Sequence, residues 1–273
     1  MMLSQSDYEK LVEYVYRKTG IALTEKHYEK VAKNVAQRCE ALGLKDFRGY
    51  FFKLRFEDRG GDEFQTLINA LTVNETYFFR EKYQFEALVE YILPELDRLR
   101  PANRVLRILS SPCSTGDEPF SIAIYLLEEG NIVNRRDIEI VGIDIDTMVL
   151  EKARQGKYSE RSIHAIPKDL VAKYFTKRGL YYEIDPEIRD AVHFENVNVF
   201  DKQAMRRLGM FDVIFSRNML IYFDDASRKE VAMTYYEMLN AGGYVLLGHS
   251  EYMSRIVSVF TPKKFGEAIV YQK

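Results

Sequence analysis

Residues 108–119 read ILSSPCSTGDEP: an apolar run, then small residues, a glycine, two acids and a proline. The apolar run predicts a buried strand, the small residues predict a loop that turns at Gly116, and Pro119 is typical of a helix's first turn. In such a strand–loop–helix unit, backbone amides and the positive end of the helix face the carboxyl end of the strand. The stretch therefore predicts the start of an α/β domain that binds a ligand there.

Strands and helices alternate around and beyond this unit. Apolar runs predict strands at residues 105–109, 138–144, 192–199, 211–216, 244–248 and 268–272. Helical periodicity predicts helices near 118–129, 147–154, 169–175 and 226–239. This alternation predicts a doubly wound, mainly parallel sheet, which binds ligands at the carboxyl ends of its strands.

The segment 177–190 interrupts the alternation. Residues 180–184 read LYYEI, which predicts a short extra strand. We expect this strand to form a hairpin with the segment that begins at Ala191. The sequence thus predicts a small antiparallel β-subdomain near residues 178–198.

The first 80 residues are predicted to be helical. Ser6-Asp7-Tyr8-Glu9 matches a capping box that would open a first helix, and Gly20 would end it. Further helices are predicted from Thr24 to about residue 42 and over 46–58, 62–71 and 81–100. We therefore expect a helical N-terminal domain with its linker over 1–80, and an α/β domain over 81–273.

The helical region carries a small positive excess. Residues 1–60 hold 12 Lys/Arg against 9 Asp/Glu, a net of +3, whereas the whole chain has a formal charge of -2. Lys26, Lys30 and Lys33 recur at helical spacing and predict a basic stripe on the second helix. Plain solvation explains such a stripe most simply. The excess is too small for a nucleic-acid-binding protein, but it would suit an acidic partner.

Composition excludes several classes of protein. The 273 residues are 47% hydrophobic and 29% charged, which is typical of a globular protein. No apolar run approaches the ~20 residues of a membrane span, and no signal segment is recognisable, so we expect a cytoplasmic protein without membrane insertion. Two cysteines and four scattered histidines, without an HExxH pattern, predict no metal site.

Acidic residues follow the first two strands of the α/β domain. Asp144 ends the second strand, where a carboxylate can bind a ribose diol. The loop before the first helix lacks the GxGxxG spacing, and Asp117 and Glu118 would repel a pyrophosphate, which disfavours a nicotinamide-dependent oxidoreductase. A cofactor with a ribose, no phosphate and a positive charge, S-adenosylmethionine, fits better. The simpler alternative is that Asp117, Glu118 and Asp146 cap helices.

The residues after the fourth main strand bear on which chemical group would accept a methyl group from such a cofactor. Arg217-Asn218 begin the segment 217–223, RNMLIYF, at a strand's carboxyl end. An Asn-Pro-Pro-Tyr pocket for an amine, frequent in methyltransferases that act on nitrogen, is absent from it. This disfavours an amine acceptor and leaves an oxygen acceptor open.

Five motifs follow one another across nearly the whole chain. They are NETYFFR (74–80), CSTGDEP (113–119), DID (144–146), RNMLIYF (217–223) and GHSE (248–251). Together they resemble the CheR family of chemotaxis receptor methyltransferases, which are protein-glutamate O-methyltransferases. The resemblance implies a Rossmann-like, S-adenosylmethionine-dependent methyltransferase domain with a small antiparallel β insertion, preceded by an all-helical N-terminal domain. Some members use the insertion to grip a receptor tail.

The resemblance also implies roles for individual residues. Those implied to contact S-adenosylmethionine are Asn74, Thr76, Arg80, Glu118, Asp144, Asn198, Val199, Arg217 and Asn218. Asp144 would bind the ribose, and Arg80 and Tyr222 would lie beside the transferred methyl group.

The implied substrate is a glutamate side chain on the cytoplasmic helical region of a methyl-accepting chemotaxis receptor. The residues that would face this region are Lys26, Lys30, Lys33 and Arg38. The expected oligomeric state is a monomer. Two alternatives stay open: a receptor-docking module that binds the cofactor without turnover, and a methyltransferase for another protein or a small molecule.

Overall fold

The computed structural model describes residues 3–101 and 103–273. Its strands are β1 (Leu106–Ser110), β2 (Ile138–Asp144), β3 (Lys157–Tyr158), β4 (Phe175–Arg178), β5 (Tyr181–Ile184), β6 (Val192–Asn196), β7 (Phe211–Ser216), β8 (Leu239–Leu247), β9 (Thr261–Phe265) and β10 (Ala268–Gln272). Its first six α-helices are α1 (Gln5–Thr19), α2 (Tyr28–Ala41), α3 (Phe47–Phe52), α4 (Asp62–Leu71), α5 (Tyr83–Ala87) and α6 (Leu93–Leu99). The others are α7 (Asp117–Glu129), α8 (Thr147–Gln155), α9 (Glu160–Ile163), α10 (Lys168–Tyr174), α11 (Pro186–Asp190), α12 (Lys202–Arg207) and α13 (Asp225–Met238).

Seven strands form the main sheet in the order β6-β2-β1-β7-β8-β10-β9. The first five in this order pair in parallel, and β10 pairs antiparallel with both β8 and β9. Neighbouring residues of one strand belong to different apolar layers: Ile108 packs on one face of the sheet and Leu109 on the other. The doubly wound, mainly parallel sheet is thus confirmed, with apolar side chains covering both faces.

All six predicted main strands are present, with ends that differ by a few residues, and β9 is an additional strand. β9 reads TPKKF and lies at the edge of the sheet, where most of its side chains are exposed. An edge strand buries few residues, so it lacks the apolar pattern that marks the inner strands.

The small β-subdomain differs from the prediction. β5 pairs antiparallel with β4 and with β3, so this subdomain spans residues 157–184 rather than 178–198. The expected hairpin with the segment at Ala191 is wrong, because β6 pairs in parallel with β2 in the main sheet. The segment 180–184 and the segment that begins at Ala191 both contain apolar residues. A sequence pattern alone does not indicate which strands pair.

The helical region has its own apolar core. Leu11, Val31, Val35 and Leu67 have no exposed surface, as expected for inward faces of α1, α2 and α4. The helix α1 begins earlier than predicted, because Ser4 rather than Ser6 is its N-cap and accepts from the Asp7 amide. The predicted helix over 81–100 is α5 and α6 joined by a π-helical segment over 88–92.

The helical region docks on the carboxyl ends of the parallel strands. The Ala22 amide donates to Tyr222 O (2.9 Å), and the Gln65 side chain donates to Ile145 O (2.7 Å). Further side-chain hydrogen bonds cross this junction, among them those from Asn69 to Thr147, from Asn198 to Lys18 and from Tyr16 to Asp224. The helices therefore cover the carboxyl ends of the strands, where the sequence predicts the ligand. No helix of the described residues is long and apolar enough to cross a membrane.

Candidate active site

The loop after β1 holds the carboxylate at the end of β2. The Ser114 amide donates to Asp144 Oδ2 (2.8 Å), and the Asp146 amide donates to Oδ1 (2.9 Å). Gly116 turns the loop at a φ of 88°, and a Cβ there would lie 2.9 Å from the Phe120 ring. Asp144 is buried, and burial raises the pKa of its carboxyl to about 6. The loop thus presents a buried carboxylate held by backbone amides.

A buried ion pair joins this loop to the segment after β7. Arg217 Nη1 lies 2.9 Å from Glu118 Oε2, and Ser110 Oγ donates to Glu118 Oε1 (2.7 Å). Arg217 Nη2 donates to Arg80 O (2.5 Å) and lies 3.4 Å from Glu81 Oε2. Burial raises the pKa of Glu118, and the charge of Arg217 opposes that rise. One guanidinium therefore holds together segments that are 99 and 137 residues away along the chain.

Arg80 and Tyr222 stand on the same side of the site. Arg80 Nη1 donates to Glu75 O (3.0 Å), and its guanidinium carbon lies 5.8 Å from the centre of the Tyr77 ring. Tyr222 is half-buried, and burial raises the pKa of its hydroxyl, while the charge of Arg80 lowers it. Tyr222 is therefore a neutral hydrogen-bond donor at neutral pH.

The linker between the two regions is held by Asp146. Asn74 Nδ2 and Thr72 Oγ1 both donate to Asp146 Oδ2, at 2.8 and 2.7 Å. The other oxygen of Asp146 accepts from the first amides of α8. The capping role weighed for Asp146 is confirmed, and the same carboxylate also fixes the linker beside the site.

The turn after β7 depends on an acid that was not among the predicted site residues. Glu251 Oε2 accepts from the amides of Asn218 (2.8 Å) and Gly248 (2.9 Å). Asn218 has a φ of 56°, and a Cβ at Gly248 would lie 2.8 Å from Asn218 Nδ2. The GHSE motif at 248–251 contains both the glycine and the acid. The sequence therefore marked these residues, but it did not indicate that they hold the turn at Asn218.

Four non-glycine residues of the described chain have a positive φ, and all lie in or beside the motifs. They are Phe79 (59°), Glu81 (54°), Ser114 (47°) and Asn218 (56°). Such conformations are unfavourable for most side chains, and they concentrate at active sites, where surrounding contacts enforce them. The motif segments therefore include backbone conformations that their surroundings enforce, as well as side chains of the site.

One cavity of about 280 Å³ connects these groups. Every residue predicted to bind the cofactor or to act in catalysis lines it: Asn74, Thr76, Arg80, Glu118, Asp144, Asn198, Val199, Arg217, Asn218 and Tyr222. The helical region closes part of the wall with Ile21, Leu23 and Leu71. Asn198 directs its amide group to Lys18 O (2.7 Å), so it also fastens the helical region to the site.

Of the two acids in the loop, only Glu118 reaches the cavity. Asp117 is completely buried and does not line the cavity. Its Oδ2 accepts a hydrogen bond from Thr115 Oγ1 (2.6 Å). Burial raises the pKa of Asp117 to about 6. The expectation that both acids face a ligand is therefore wrong for Asp117.

The four basic residues of α2 and its approach have different surroundings. Lys26, Lys30 and Lys33 are exposed. Lys30 lines the cavity, and its Nζ donates to Leu71 O (2.8 Å) and Thr72 O (3.0 Å) at the end of α4. Arg38 forms a bidentate ion pair with Glu63 inside the helical region (2.9 and 2.7 Å). The basic stripe is thus only partly a free surface.

The cavity fits S-adenosylmethionine in its chemistry. Asp144 offers a carboxylate that can accept hydrogen bonds from a ribose diol, and Ile145 and Val199 offer apolar surface to an adenine. No glycine pattern for a pyrophosphate precedes α7. A doubly wound sheet with this site at its carboxyl edge defines an S-adenosylmethionine-dependent methyltransferase.

The family follows from two sequence matches that together cover most of the chain. Residues 74–268 match "CheR methyltransferase, SAM binding domain", and residues 6–72 match "CheR methyltransferase, all-alpha domain". The chain belongs to the CheR methyltransferase family. The domain boundary near residue 80 stays a prediction.

Curated relatives agree with this assignment over most of their length. "Chemotaxis protein methyltransferase 2" of Vibrio cholerae is 46% identical over 275 residues, which cover 100% of this chain and 94% of the relative. "Chemotaxis protein methyltransferase" of Salmonella typhimurium is 33% identical, covering 96% and 88%. The protein of the same name from Borreliella burgdorferi is 34% identical, covering 91% and 89%.

Proposed function

We propose that this methyltransferase acts in the cytoplasm and forms methyl esters on glutamate side chains in the helical region of methyl-accepting chemotaxis receptors. The names of the relatives support a role in chemotaxis. The observation that carries the choice of a carboxylate is the position of Arg80, a permanent cation on the cavity wall near Tyr222. A guanidinium attracts a carboxylate and repels a protonated amine.

The cavity wall supports the cofactor contacts that we propose. The residues proposed to bind S-adenosylmethionine are Asn74, Thr76, Arg80, Glu118, Asp144, Asn198, Val199, Arg217 and Asn218, all of which line the cavity. Asp144 would accept hydrogen bonds from the ribose, as its buried position at the end of β2 suits.

Cofactor affinity should depend on pH through Asp144. Its pKa in the free protein is about 6, and the protonated carboxyl has less capacity to accept hydrogen bonds from a ribose. Affinity for S-adenosylmethionine should therefore be constant above pH 7 and weaken by up to about tenfold per unit below pH 6. Calorimetric titration at several pH values measures this dependence.

Asp117 offers a matched control, since its pKa is also raised to about 6 but it does not line the cavity. Asp117→Asn should keep the pH dependence, whereas Asp144→Asn should bind weakly at every pH with a flat profile. A profile that flattens in Asp117→Asn instead would reject the assignment to Asp144.

The chemistry needs alignment more than proton transfer. When bound, S-adenosylmethionine supplies a methyl group on a positively charged sulfur, which a carboxylate oxygen can accept. A glutamate with an ordinary pKa near 4.3 is already ionised at neutral pH, so no general base is needed. Arg80 would orient the carboxylate, and the Tyr222 hydroxyl would donate a hydrogen bond beside it. The helical region that covers the cavity would exclude water, which strengthens both contacts.

The direct test uses S-adenosylmethionine with a labelled methyl group and receptor cytoplasmic fragments. Label should enter the receptor and be released as methanol in alkali, because esters hydrolyse there. Alkali-stable label would show nitrogen methylation and reject the proposal. Cofactor binding without label transfer would favour the alternative of a docking module, and label on other acceptors alone would favour a different substrate.

The receptor is proposed to meet the basic residues of α2 and its approach. Lys30 and Arg38 form hydrogen bonds within the protein, whereas Lys26 and Lys33 have no hydrogen-bond or ion-pair partner among the described residues. Reversing both charges, Lys26→Glu with Lys33→Glu, should weaken receptor binding by about tenfold, since each exposed pair contributes up to about 1 kcal/mol. Affinity for the cofactor should stay the same.

The matched control reverses two exposed lysines of the α/β region, Lys229→Glu with Lys264→Glu. This variant has the same net charge as the first. Equal losses of receptor affinity in the two variants would mean that net charge, rather than α2, attracts the receptor.

A further inference from the structure

A second concavity adjoins the main cavity. Glu75, Thr76 and Tyr77 line both, so they form a shared wall. The far side of the second concavity is lined by Arg161 and His164. Neither of these two basic side chains is among the site residues predicted from the sequence. We call this concavity the Arg161 subsite.

The Arg161 subsite is held firmly against the linker. The Phe78 amide donates to Ser162 O (2.9 Å), which fastens the short helix α9 to the segment that carries Arg80. The ring centres of Tyr77 and His164 are 4.9 Å apart, and the guanidinium carbon of Arg80 lies 5.8 Å from the same Tyr77 ring. A single aromatic ring therefore separates the proposed methyl-transfer position from the subsite.

The charge of Arg161 is available to a ligand. Its side chain is 89% exposed, and Glu75 Oε1 lies 3.8 Å from its Nη2, beyond hydrogen-bond distance. Glu75 is itself 73% exposed, and ion pairs between exposed side chains contribute little. An incoming carboxylate can form two parallel hydrogen bonds with a guanidinium, which the distant Glu75 does not.

We infer that the Arg161 subsite binds an acidic side chain of the substrate, one helical turn away from the glutamate that accepts the methyl group. The Cβ atoms of residues three or four apart on a helix lie about 5–6 Å from each other, and their longer side chains can reach opposite sides of one aromatic ring. The inference rests on the proposed function, because it requires a helical protein substrate. It makes Arg161 a determinant of which receptor glutamates are methylated.

The test uses receptor cytoplasmic fragments that keep one methylatable glutamate. In one set, acidic residues three or four positions before and after it are retained, and in the other they are glutamine. For the unchanged enzyme, neutralising the correct neighbour should lower kcat/KM by about five- to tenfold, mainly through KM. The Arg161→Ala variant should methylate both sets of fragments with equal kcat/KM.

A charge swap makes the test sharper. Arg161→Glu should prefer a fragment with lysine at the neighbouring position, which would pair the two residues directly. Arg135→Ala is the matched control, because Arg135 is also an exposed arginine in a long ion pair, 3.5 Å from Asp97, on the segment before β2. This control should discriminate between the fragments as the unchanged enzyme does.

The outcomes separate the two proposals. If no fragment receives alkali-labile label from the unchanged enzyme, the proposed function itself is wrong. If label is transferred but neutral and acidic neighbours are equivalent, or if Arg161→Ala still discriminates, the proposed function stands and the subsite is rejected.

Discussion

Arg217→Met is expected to lower the free energy of unfolding by about 3–5 kcal/mol, because it leaves the buried Glu118 carboxylate without its cation. It also removes the donor to Arg80 O, so that the linker loses its anchor and cofactor binding weakens strongly. Urea unfolding followed by circular dichroism measures the first effect, and calorimetry measures the second.

The loss of stability should depend on pH. Burial raises the pKa of Glu118, and removing Arg217 raises it further, so the variant's carboxyl takes up a proton at a higher pH. Since a neutral carboxyl needs no cation, the stability difference between variant and parent should shrink as pH falls and grow as pH rises.

Two further variants serve as controls for Arg217. Arg206 forms an ion pair of 2.9 Å with Glu237, but both side chains are at least half exposed, so Arg206→Met should cost at most about 1 kcal/mol. Adding Glu118→Gln to Arg217→Met should restore part of the stability, because it removes the uncompensated charge. A double variant no more stable than Arg217→Met would contradict this account.

Arg80→Ala is expected to slow methyl transfer by about 100-fold, since a carboxylate that is no longer oriented loses its alignment with the methyl group. The cofactor Kd should change much less, because the backbone carbonyl that binds Arg217 remains in the variant. Single-turnover transfer of label to a receptor fragment gives the rate, and calorimetry gives the Kd.

Arg80→Lys distinguishes orientation from charge. A lysine keeps the positive charge but lacks the planar, two-pronged donor of arginine, so an intermediate rate is expected. Full activity of Arg80→Ala with an unchanged Kd would exclude the proposed role, and full activity of Arg80→Lys would show that charge alone is needed.

The predicted elements agree with the structure where burial leaves a local pattern. The inner strands β1, β2 and β7 are largely buried and read as mainly apolar runs. The edge strand β9 and the two-residue β3 have no such pattern. For β5 the sequence indicated a strand but not its partner, because pairing depends on which segment the rest of the fold brings alongside.

The basic residues of α2 show the same limit. Lys26, Lys30 and Lys33 share a helical spacing, which indicated one exposed face. In the structure Lys30 turns to the end of α4, and Arg38 to Glu63, because α4 lies against α2. Helical periodicity describes directions around a single helix, and a neighbouring helix decides which of those side chains form contacts within the protein.

The amino-acid sequence alone was sufficient for the order of the main strands, for the family, and for the proposed site residues, all of which line the cavity. The strands follow from apolar patterns within short segments, and the family and its site residues follow from a series of short motifs along the chain. The folded chain was needed to show that Arg217 joins Glu118 to Arg80, that Glu251 holds the turn at Asn218, and that Arg161 adjoins the site. These contacts join segments far apart in the chain, and their geometry exists only after the sheet and the helical region have packed together.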